Sequence, residues 1–199
     1  MAGRDAEIER KLAEAGIDAS VTEAALEIDA ILQGWRRRML KRELGQQAIR
    51  ALGLDIEQPE LDVLVAVWAP VKEFGARPEQ ETMVSTIAQR LDIDPSRASR
   101  LVSALIDKGL LRRAVSQQDA RRTVVELSQP GRNLIRAVRS YKFLLMGEFL
   151  SDWTAEEIAA FLPLLARFST WVEDAGAAPS PRLAAEVETL RRSLHAPAD

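Results

Sequence analysis

The sequence contains no cysteine and only one histidine. The absence of cysteine excludes a disulfide framework, a thiolate metal site and a switch based on cysteine oxidation. The histidine, His195, stands near the C-terminus, and no cluster of histidine and carboxylate residues has the spacing of metal ligands. We therefore expect neither a metal centre nor any other cofactor.

Motifs for catalysis and for membrane insertion are also missing from the sequence. There is no Ser-His-Asp set, no glycine-rich phosphate loop and no cysteine nucleophile, so we expect no enzymatic activity. The longest apolar run, residues 63–71, is about half the length of a membrane-spanning helix. The charged start, MAGRDAEIERKLAE, lacks the apolar segment of a secretory signal, and we expect a cytoplasmic protein that does not bind membranes.

Acidic residues slightly outnumber basic residues in the chain as a whole, but basic residues are concentrated in one segment. The formal net charge is −3, whereas residues 95–122 carry seven Lys or Arg residues against two Asp. A basic patch on an acidic protein is typical of a surface that binds a polyanion such as nucleic acid. An ordinary solvated surface rich in arginine is the alternative, and charge alone does not decide between them.

The spacing of apolar residues predicts a mainly helical protein with one β-hairpin. We predict helices over residues 4–15, 20–44, 60–69, 83–91, 95–108, 131–150, 154–174 and 183–195. Ser20 with Glu23, and Thr154 with Glu157, have the spacing of capping boxes at two helix starts. Pro163 predicts a kink in its helix, and the run DAGAAPSPR predicts a flexible linker.

The run DIDPSRASRLVSALIDKGLL carries both start and stop signals for a helix. Asp94 is a favourable N-cap, Pro95 suits the first helical position, and Gly109 suits the residue just past the end. One face of this helix is apolar and consists of Ala98, Leu101, Val102 and Leu105. The opposite face is small, polar and basic and consists of Ser96, Arg97, Ser99, Arg100 and Ser103.

A helix with such a polar face fits the major groove of DNA. Short hydroxyl side chains and arginines in its first turns can reach base edges, and arginine can form two hydrogen bonds with guanine. Ser96 and Ser99 also suit phosphate contacts, which position a protein without reading sequence. Any amphipathic helix has a polar outer face, but solvated faces more often carry Glu or Lys than Ser, so the serines favour DNA contact.

The runs LLRRAV and RTVVELS flank SQQDA and predict a two-stranded hairpin directly after this helix. Such a hairpin can lie along the minor groove, where a cation at its tip meets concentrated negative potential. Arg121 or Arg122 suits this position. We expect Asp119 to hold the turn by bonding its own backbone or by pairing with Arg121. In isolation, an exposed salt bridge of the turn is the simpler explanation of these residues.

Residues 83–128 thus have the pattern of a winged helix-turn-helix. Within them stands Asp-x-Arg, followed after five residues by Leu and Ser, at Asp119, Arg121, Leu127 and Ser128. This spacing, the run DPSRASRLVSALIDKGLLRR and the following PGRNLI together resemble the MarR family of bacterial transcription regulators. The resemblance covers about residues 22–172, and its most specific part is 85–133.

The resemblance implies which residues contact double-stranded DNA. It implies that the major groove is read by Ser96, Arg97, Ser99 and Arg100. It also implies that Arg121 enters the minor groove from the wing tip, with Asp119 as the residue that orients it. With Ser103 and Arg122 from the residue analysis, these form the expected DNA-binding set.

The resemblance also implies a homodimer whose N- and C-terminal helices interleave around a two-fold axis. Apolar stripes over residues 26–39, 134–149 and 158–171 agree with this, because one small lobe could not bury them. Such a dimer would bind a pseudo-palindromic operator.

We therefore expect an α+β fold, mainly α-helical with a small β-hairpin wing, made of a winged helix-turn-helix domain and a helical dimerisation domain. The expected divisions are 1–58 for N-terminal dimerisation helices, 59–130 for the DNA-binding domain, 131–173 for C-terminal dimerisation helices, and 174–199 for a linker and a short helix. The loop 70–82 is longer than is usual in the family. The segments before residue 20 and after 174 are extensions whose roles stay open.

Members of the family are often released from DNA by small aromatic or phenolic acids, which bind where the dimer helices meet the winged domain. By this resemblance, the candidate effector-binding residues are Trp35, Met39, Trp68 and Arg112. Core packing is the alternative, since aromatic residues and Met at helical spacing more often form core than pocket. We expect a homodimeric repressor that such an effector releases; the alternative is a winged helix that binds an acidic protein partner.

Overall fold

The computed structural model describes residues 2–68, 81–171 and 181–194. Within these ranges it contains nine helices and one two-stranded antiparallel sheet. The helices are α1 (Ala2–Glu14), α2 (Ala19–Leu40), α3 (Glu43–Ala51), α4 (Gln58–Trp68), α5 (Val84–Leu91), α6 (Pro95–Asp107), α7 (Gln129–Ser151), α8 (Ala155–Ser169) and α9 (Pro181–Leu194). The strands are β1 (Leu111–Val115) and β2 (Thr123–Leu127). This architecture confirms the predicted fold class, mainly α-helical with one small hairpin.

Three features of the sequence lie largely or wholly outside the described residues. They are the loop 70–82, the linker 174–182 and His195.

The chain divides into two compact units. The first consists of Met1–Arg38 and Leu150–Asp199, which contain α1, α8, α9 and most of α2. The second is Met39–Phe149, which contains α3 to α6, the hairpin and most of α7.

The hydrophobic core of the second unit is built by α4, α5, α6, the hairpin and the start of α7. Its largest fully buried side chains are Val63 and Leu64 of α4, Ile87 of α5, and Val102 and Leu105 of α6. Burial of each such side chain contributes about 1.5–3 kcal/mol to folding. The core therefore fixes α6 by its apolar face and leaves the opposite face toward solvent.

The helix predicted over 20–44 begins within one residue of its predicted start, but its predicted C-terminal end and its predicted cap are wrong. α2 stops at Leu40, Arg42 adopts a left-handed conformation with φ of 51°, and α3 follows as a separate helix. The Arg42 side chain reaches α4, where its Nη1 lies 2.6 Å from Asp62 Oδ1. At the other end α2 begins at Ala19, and Asp18 Oδ1 accepts hydrogen bonds from the Ser20 backbone and hydroxyl at 2.9 and 2.6 Å. Ser20 is thus inside the helix and does not cap it.

The capping box predicted at Thr154 is confirmed. The Glu157 backbone N–H donates to Thr154 Oγ1 at 3.1 Å, and the Thr154 backbone N–H donates to Glu157 Oε2 at 2.7 Å. α8 continues as one helix through Pro163 to Ser169.

Candidate nucleic-acid interface

The helix α6 begins at the predicted residue, Pro95, and ends at Asp107, one residue before the predicted end. Asp94 Oδ1 accepts hydrogen bonds from the Arg97 backbone at 2.8 Å and from the Ser96 hydroxyl at 2.5 Å. These two bonds, with the Ser96 hydroxyl contributing most, hold the pKa of Asp94 below its ordinary value. Gly109 follows the helix with φ of +70°, a conformation that glycine adopts without strain.

The two faces of α6 also divide as predicted. Ala98, Val102 and Leu105 are buried in the core. Four residues of the polar face are exposed and the fifth, Ser103, is half-buried; the exposed ones are Ser96, Arg97, Ser99 and Arg100. The Ser96 hydroxyl has an intramolecular acceptor in Asp94, so its first structural role is to support the cap.

The end of α6 is fastened to α4. Lys108 Nζ donates hydrogen bonds to Glu60 Oε2 at 2.9 Å and to the Asp55 carbonyl at 3.0 Å. Glu60 is buried, and its hydrogen bond is the main cause that raises the pKa of Lys108. Sequence analysis missed this pair, whose members stand 48 residues apart.

The hairpin forms the wing, and an ordered turn closes its tip. The strands pair in register from Leu111 with Leu127 to Val115 with Thr123. At the tip the buried Ser116 hydroxyl oxygen accepts hydrogen bonds from the backbones of Gln118 and Asp119, at 3.1 and 2.9 Å. Hydrogen bonds within the chain therefore hold the turn in place.

The Asp119 carboxylate contacts both arginines of the tip, one through a backbone hydrogen bond and the other through an ion pair. Its Oδ1 accepts a hydrogen bond from the Arg121 backbone at 3.0 Å, one of the two arrangements that the sequence left open. The ion pair, however, is made by Arg122, whose Nε lies 3.2 Å from Asp119 Oδ2. Both arginine side chains are exposed. The Asp119 side chain thus shapes the backbone below Arg121 and leaves the Arg121 guanidinium toward solvent.

Glu81 is a functional candidate that the sequence did not indicate. Its carboxylate accepts hydrogen bonds from the Ser116 hydroxyl at 2.5 Å and from the Gln117 backbone at 2.6 Å. The Ser116 bond is the main cause that lowers the pKa of Glu81, against the opposing effect of burial. Next to it, the Thr82 carbonyl accepts a hydrogen bond from the Val125 backbone at 2.7 Å. Residues 81–82 therefore latch the wing to the segment that leads into α5.

The junction between the wing and α7 gives structural roles to several residues that resemble the MarR family's pattern. The Ser128 hydroxyl donates to the Gly109 carbonyl at 2.6 Å and accepts from the Gly131 backbone at 3.1 Å. Arg132 Nη1 donates to the Leu127 carbonyl at 2.6 Å. A Cβ atom on Gly131 would lie 2.1 Å from the Leu110 carbonyl oxygen. These residues tie the end of α6 to the start of α7.

A cleft of about 740 Å³ lies beside the wing, within the second unit. Its lining includes Trp68, Glu81, Arg136, Arg139 and Phe143. The Arg139 guanidinium carbon lies 4.2 Å from the centre of the Trp68 ring, a cation–π contact. Glu81 thus contributes both to the wing latch and to the wall of the cleft.

The four candidate effector residues have different positions. Trp68 lines the cleft. Arg112 stands on β1, where its Nη2 lies 2.6 Å from Glu126 Oε2 across the hairpin. Trp35 and Met39 are exposed on α2. Among the described residues no group of three or more His, Cys, Asp and Glu side chains could hold a metal ion, and no helix is long and apolar enough to cross a membrane.

Comparison with known proteins finds relatives among helix-turn-helix transcription regulators. Residues 75–122 match the model of the MarR family. The YdgJ protein of Bacillus subtilis, an uncharacterised HTH-type transcriptional regulator, is 31% identical over 87 residues, which are 44% of this chain and 53% of that protein. The chain therefore spans about half the length of this curated relative.

The fold is similar to solved structures over most of their length. A MarR family protein from Bacillus stearothermophilus superposes with a TM-score of 0.57 at 16% identity, over 76% of this chain and 96% of that one. MepR of S. aureus, solved with ethidium bromide, gives 0.51 at 24% identity, over 70% and 95%. Residues 75–122 of this chain are therefore similar to the MarR family, and the chain shares the winged helix-turn-helix fold of the solved MarR family protein.

Proposed function

We propose that this chain is a sequence-specific DNA-binding transcription regulator that acts as a homodimer on a pseudo-palindromic operator. The observation that carries the proposal is the exposed, small and basic face of α6 beside a wing whose fastened tip presents two arginines. A surface that is already ordered loses little conformational entropy when it binds, which favours affinity.

In this proposal α6 lies in the major groove with its first turns toward the bases. Arg97 and Arg100 would bond to guanine or phosphate, and Ser99 to a base edge or phosphate. Ser96 would contact phosphate by turning its hydroxyl hydrogen from Asp94 to a phosphate oxygen. The half-buried Ser103 would stand at the margin of the contact.

The wing would lie along the adjacent minor groove. Arg121 would enter the groove, where a narrow A·T-rich sequence concentrates negative potential. Arg122 would contact a phosphate while its pair with Asp119 keeps the turn in shape. Both roles depend on the hydrogen bonds that Ser116 and Glu81 make below the tip.

Exposed apolar surface supports the homodimer. α8 is rich in apolar residues, yet within one chain its residues Phe161, Leu162, Leu164 and Leu165 all remain partly or largely exposed. A helix that is apolar on several faces needs further surfaces to cover it. A second copy of the chain provides such surfaces in a two-fold arrangement, which also places two α6 helices for two half-sites.

Repression would follow from occlusion of a promoter by the bound dimer, and a small aromatic or phenolic effector would release it. The cleft beside the wing supports this, because Trp68 and Phe143 offer aromatic surface while Arg136 and Arg139 offer positive charge for an acid group. A ligand there would act on the wing through Glu81, which belongs to both sites. Effector and operator would then weaken each other's binding by the same factor.

A second candidate is a winged helix that binds an acidic protein, which the basic face of α6 would also allow. Selection from a pool of random DNA duplexes separates the two. The proposed function predicts enrichment of one pseudo-palindromic sequence with half-sites about one DNA turn apart. Binding to DNA should weaken by about 0.9 log units per phosphate contact for each tenfold rise in salt. A pool without enriched sequence after repeated rounds would contradict the proposed function.

A further inference from the structure

The helix α9 carries an apolar stripe that its own chain leaves largely exposed. Leu183, Val187, Leu190 and Leu194 are 54%, 41%, 42% and 80% exposed. Successive residues of this stripe are four, three and four positions apart, which is the spacing of the d and a positions of a coiled-coil heptad. This seam is narrower than the stripe of a helix that packs on a globular core.

The residues along the seam favour a coiled coil of two parallel helices. Val187 and Leu194 take the a positions, and Leu183 and Leu190 take the d positions. Val187 at a, between leucines at the two d positions, is the combination that favours parallel dimers, whereas Leu194 at the terminal a position is not β-branched.

The residues that flank the seam have complementary charges. Glu186 stands at a g position and Arg191 at the next e position. In a parallel, in-register pair these positions meet across the seam, so Glu186 of each helix would face Arg191 of the other. In an antiparallel pair g meets g and e meets e, and the attraction is lost. Within one chain Arg191 Nη1 lies 3.4 Å from Glu188 Oε2. This ion pair is exposed and contributes little free energy, so Arg191 can leave it for Glu186 of the other helix.

We propose that α9 pairs with α9 of a second copy as a parallel, in-register coiled coil. The inference rests on the homodimer of the proposed function, because a helix of 14 residues is too short to be stable or to associate by itself. Within a dimer, the two α9 helices are tethered, and their effective concentration reaches about the millimolar range. The extension beyond the region of family resemblance thereby gains a role as a second dimer contact.

Disulfide trapping in the full chain tests the pairing, since the natural chain has no cysteine to interfere. Leu190→Cys places a thiol in the seam, and Glu188→Cys places one on the outer face of the same helix. We expect the Leu190→Cys disulfide to form at least about tenfold more readily than the Glu188→Cys disulfide, measured as the equilibrium with glutathione.

The charges provide a second readout in the Leu190→Cys background. Glu186→Arg places like charges across the seam and should lower the trapping equilibrium on the order of tenfold. Adding Arg191→Glu restores opposite charges and should restore trapping. If the double exchange leaves trapping as weak as Glu186→Arg alone, the parallel pairing is wrong.

Light scattering on the wild-type chain measures the homodimer separately from the helix pairing. A dimer mass with preferential trapping at the seam supports both. A dimer mass with equal trapping at the two positions would overturn the coiled coil and leave the homodimer standing. A monomer mass would overturn the homodimer and the coiled coil together.

Discussion

Gly131 and Gly147 stand in the same helix, α7, in different surroundings. A Cβ on Gly131 would meet the Leu110 carbonyl oxygen at 2.1 Å, whereas a Cβ on Gly147 would meet nothing within 4 Å. The carbonyl belongs to the backbone that joins α6 to β1, so it cannot move without shifting one of these two elements. Gly131 is therefore required by the close approach of α7 to the backbone at Leu110, whereas Gly147 is not required by such a contact.

We expect Gly131→Ala to lower the free energy of unfolding by about 1–3 kcal/mol, the usual cost of overpacking. The matched variant Gly147→Ala should raise it by up to about 1 kcal/mol, because alanine favours helix. Urea unfolding followed by circular dichroism measures both. Equal effects of the two variants would show that the junction tolerates the methyl group.

Glu81 should make the stability depend on pH in a defined direction. Its pKa in the folded protein lies below the ordinary value of 4.5, mainly because of the Ser116 hydrogen bond. A lowered pKa stabilises the fold above pH 4.5, and this contribution is lost as pH falls through the folded-state pKa. The difference in unfolding free energy between wild type and Glu81→Gln should therefore be largest near neutral pH and shrink in acid. Urea unfolding of both proteins between acid and neutral pH measures this difference, with the exposed Glu7→Gln as control. A difference in unfolding free energy that grows in acid would contradict a lowered pKa of Glu81.

Sequence reasoning succeeded for residues that act on near neighbours. Asp94, Pro95 and Gly109 each act within a few positions along the chain, so their spacing reveals their role. Glu81 bonds to residues 35 and 36 positions away, and no local pattern marks such a partner. The direction of the Asp119 ion pair, toward Arg122, likewise depends on the turn geometry.

Among the elements, the wing depends on a segment outside its own two strands. Residues 81–82 bond to the tip at Ser116 and Gln117 and to β2 at Val125. An isolated two-stranded hairpin is only marginally stable in water, so this latch would keep the wing ordered.

Loss of the latch should weaken DNA binding without removing a DNA contact. We expect Glu81→Gln to lower operator affinity by up to about tenfold through the entropy of ordering the wing, with the salt dependence unchanged. Arg97→Ala, by contrast, should reduce the salt slope by about 0.9 if its guanidinium contacts a phosphate. Anisotropy titrations at several salt concentrations measure both quantities. If Glu81→Gln reduced the slope of log affinity against log salt concentration, Glu81 would have a role in DNA binding besides the latch.

The elements of the winged helix-turn-helix were predictable because their signals lie inside them. Cap, stop and alternation patterns placed α5, α6 and the hairpin within one or two residues. The break between α2 and α3 was not predictable. Arg42 takes a left-handed conformation that usually favours glycine or asparagine, and its ion pair with Asp62 of α4 is a tertiary contact.

At the scale of the whole molecule, many large apolar side chains of α2, α7 and α8 are exposed on a single chain. Hydrophobic periodicity predicted which stripes are apolar, and many of their residues are exposed as the proposed homodimer requires. A periodic pattern specifies a face but not the surface that covers it, so the pairing of helices between copies could not be predicted from one sequence.

A charge in that surface should separate the copies. Leu164 of α8 is largely exposed in one chain, so Leu164→Glu should leave the single chain folded. Buried unpaired charge at an interface is strongly unfavourable, and we expect the dimer dissociation constant to rise on the order of 100-fold. Arg167→Glu, at a polar position of the same helix, is the control and should change it little. Sedimentation at several concentrations measures both; an unchanged dimer in Leu164→Glu would place the interface elsewhere.

In the proposed function, the hairpin wing and α6 bind DNA together. The most direct measurement is an anisotropy titration of wild type, Arg121→Ala and Arg10→Ala against the selected operator duplex. Arg121 is exposed at the wing tip, whereas Arg10 is an exposed arginine of α1 paired with Glu14. We expect a loss of about 1–3 kcal/mol in operator affinity for Arg121→Ala and wild-type affinity for Arg10→Ala. Equal affinity of all three proteins for the operator would contradict it.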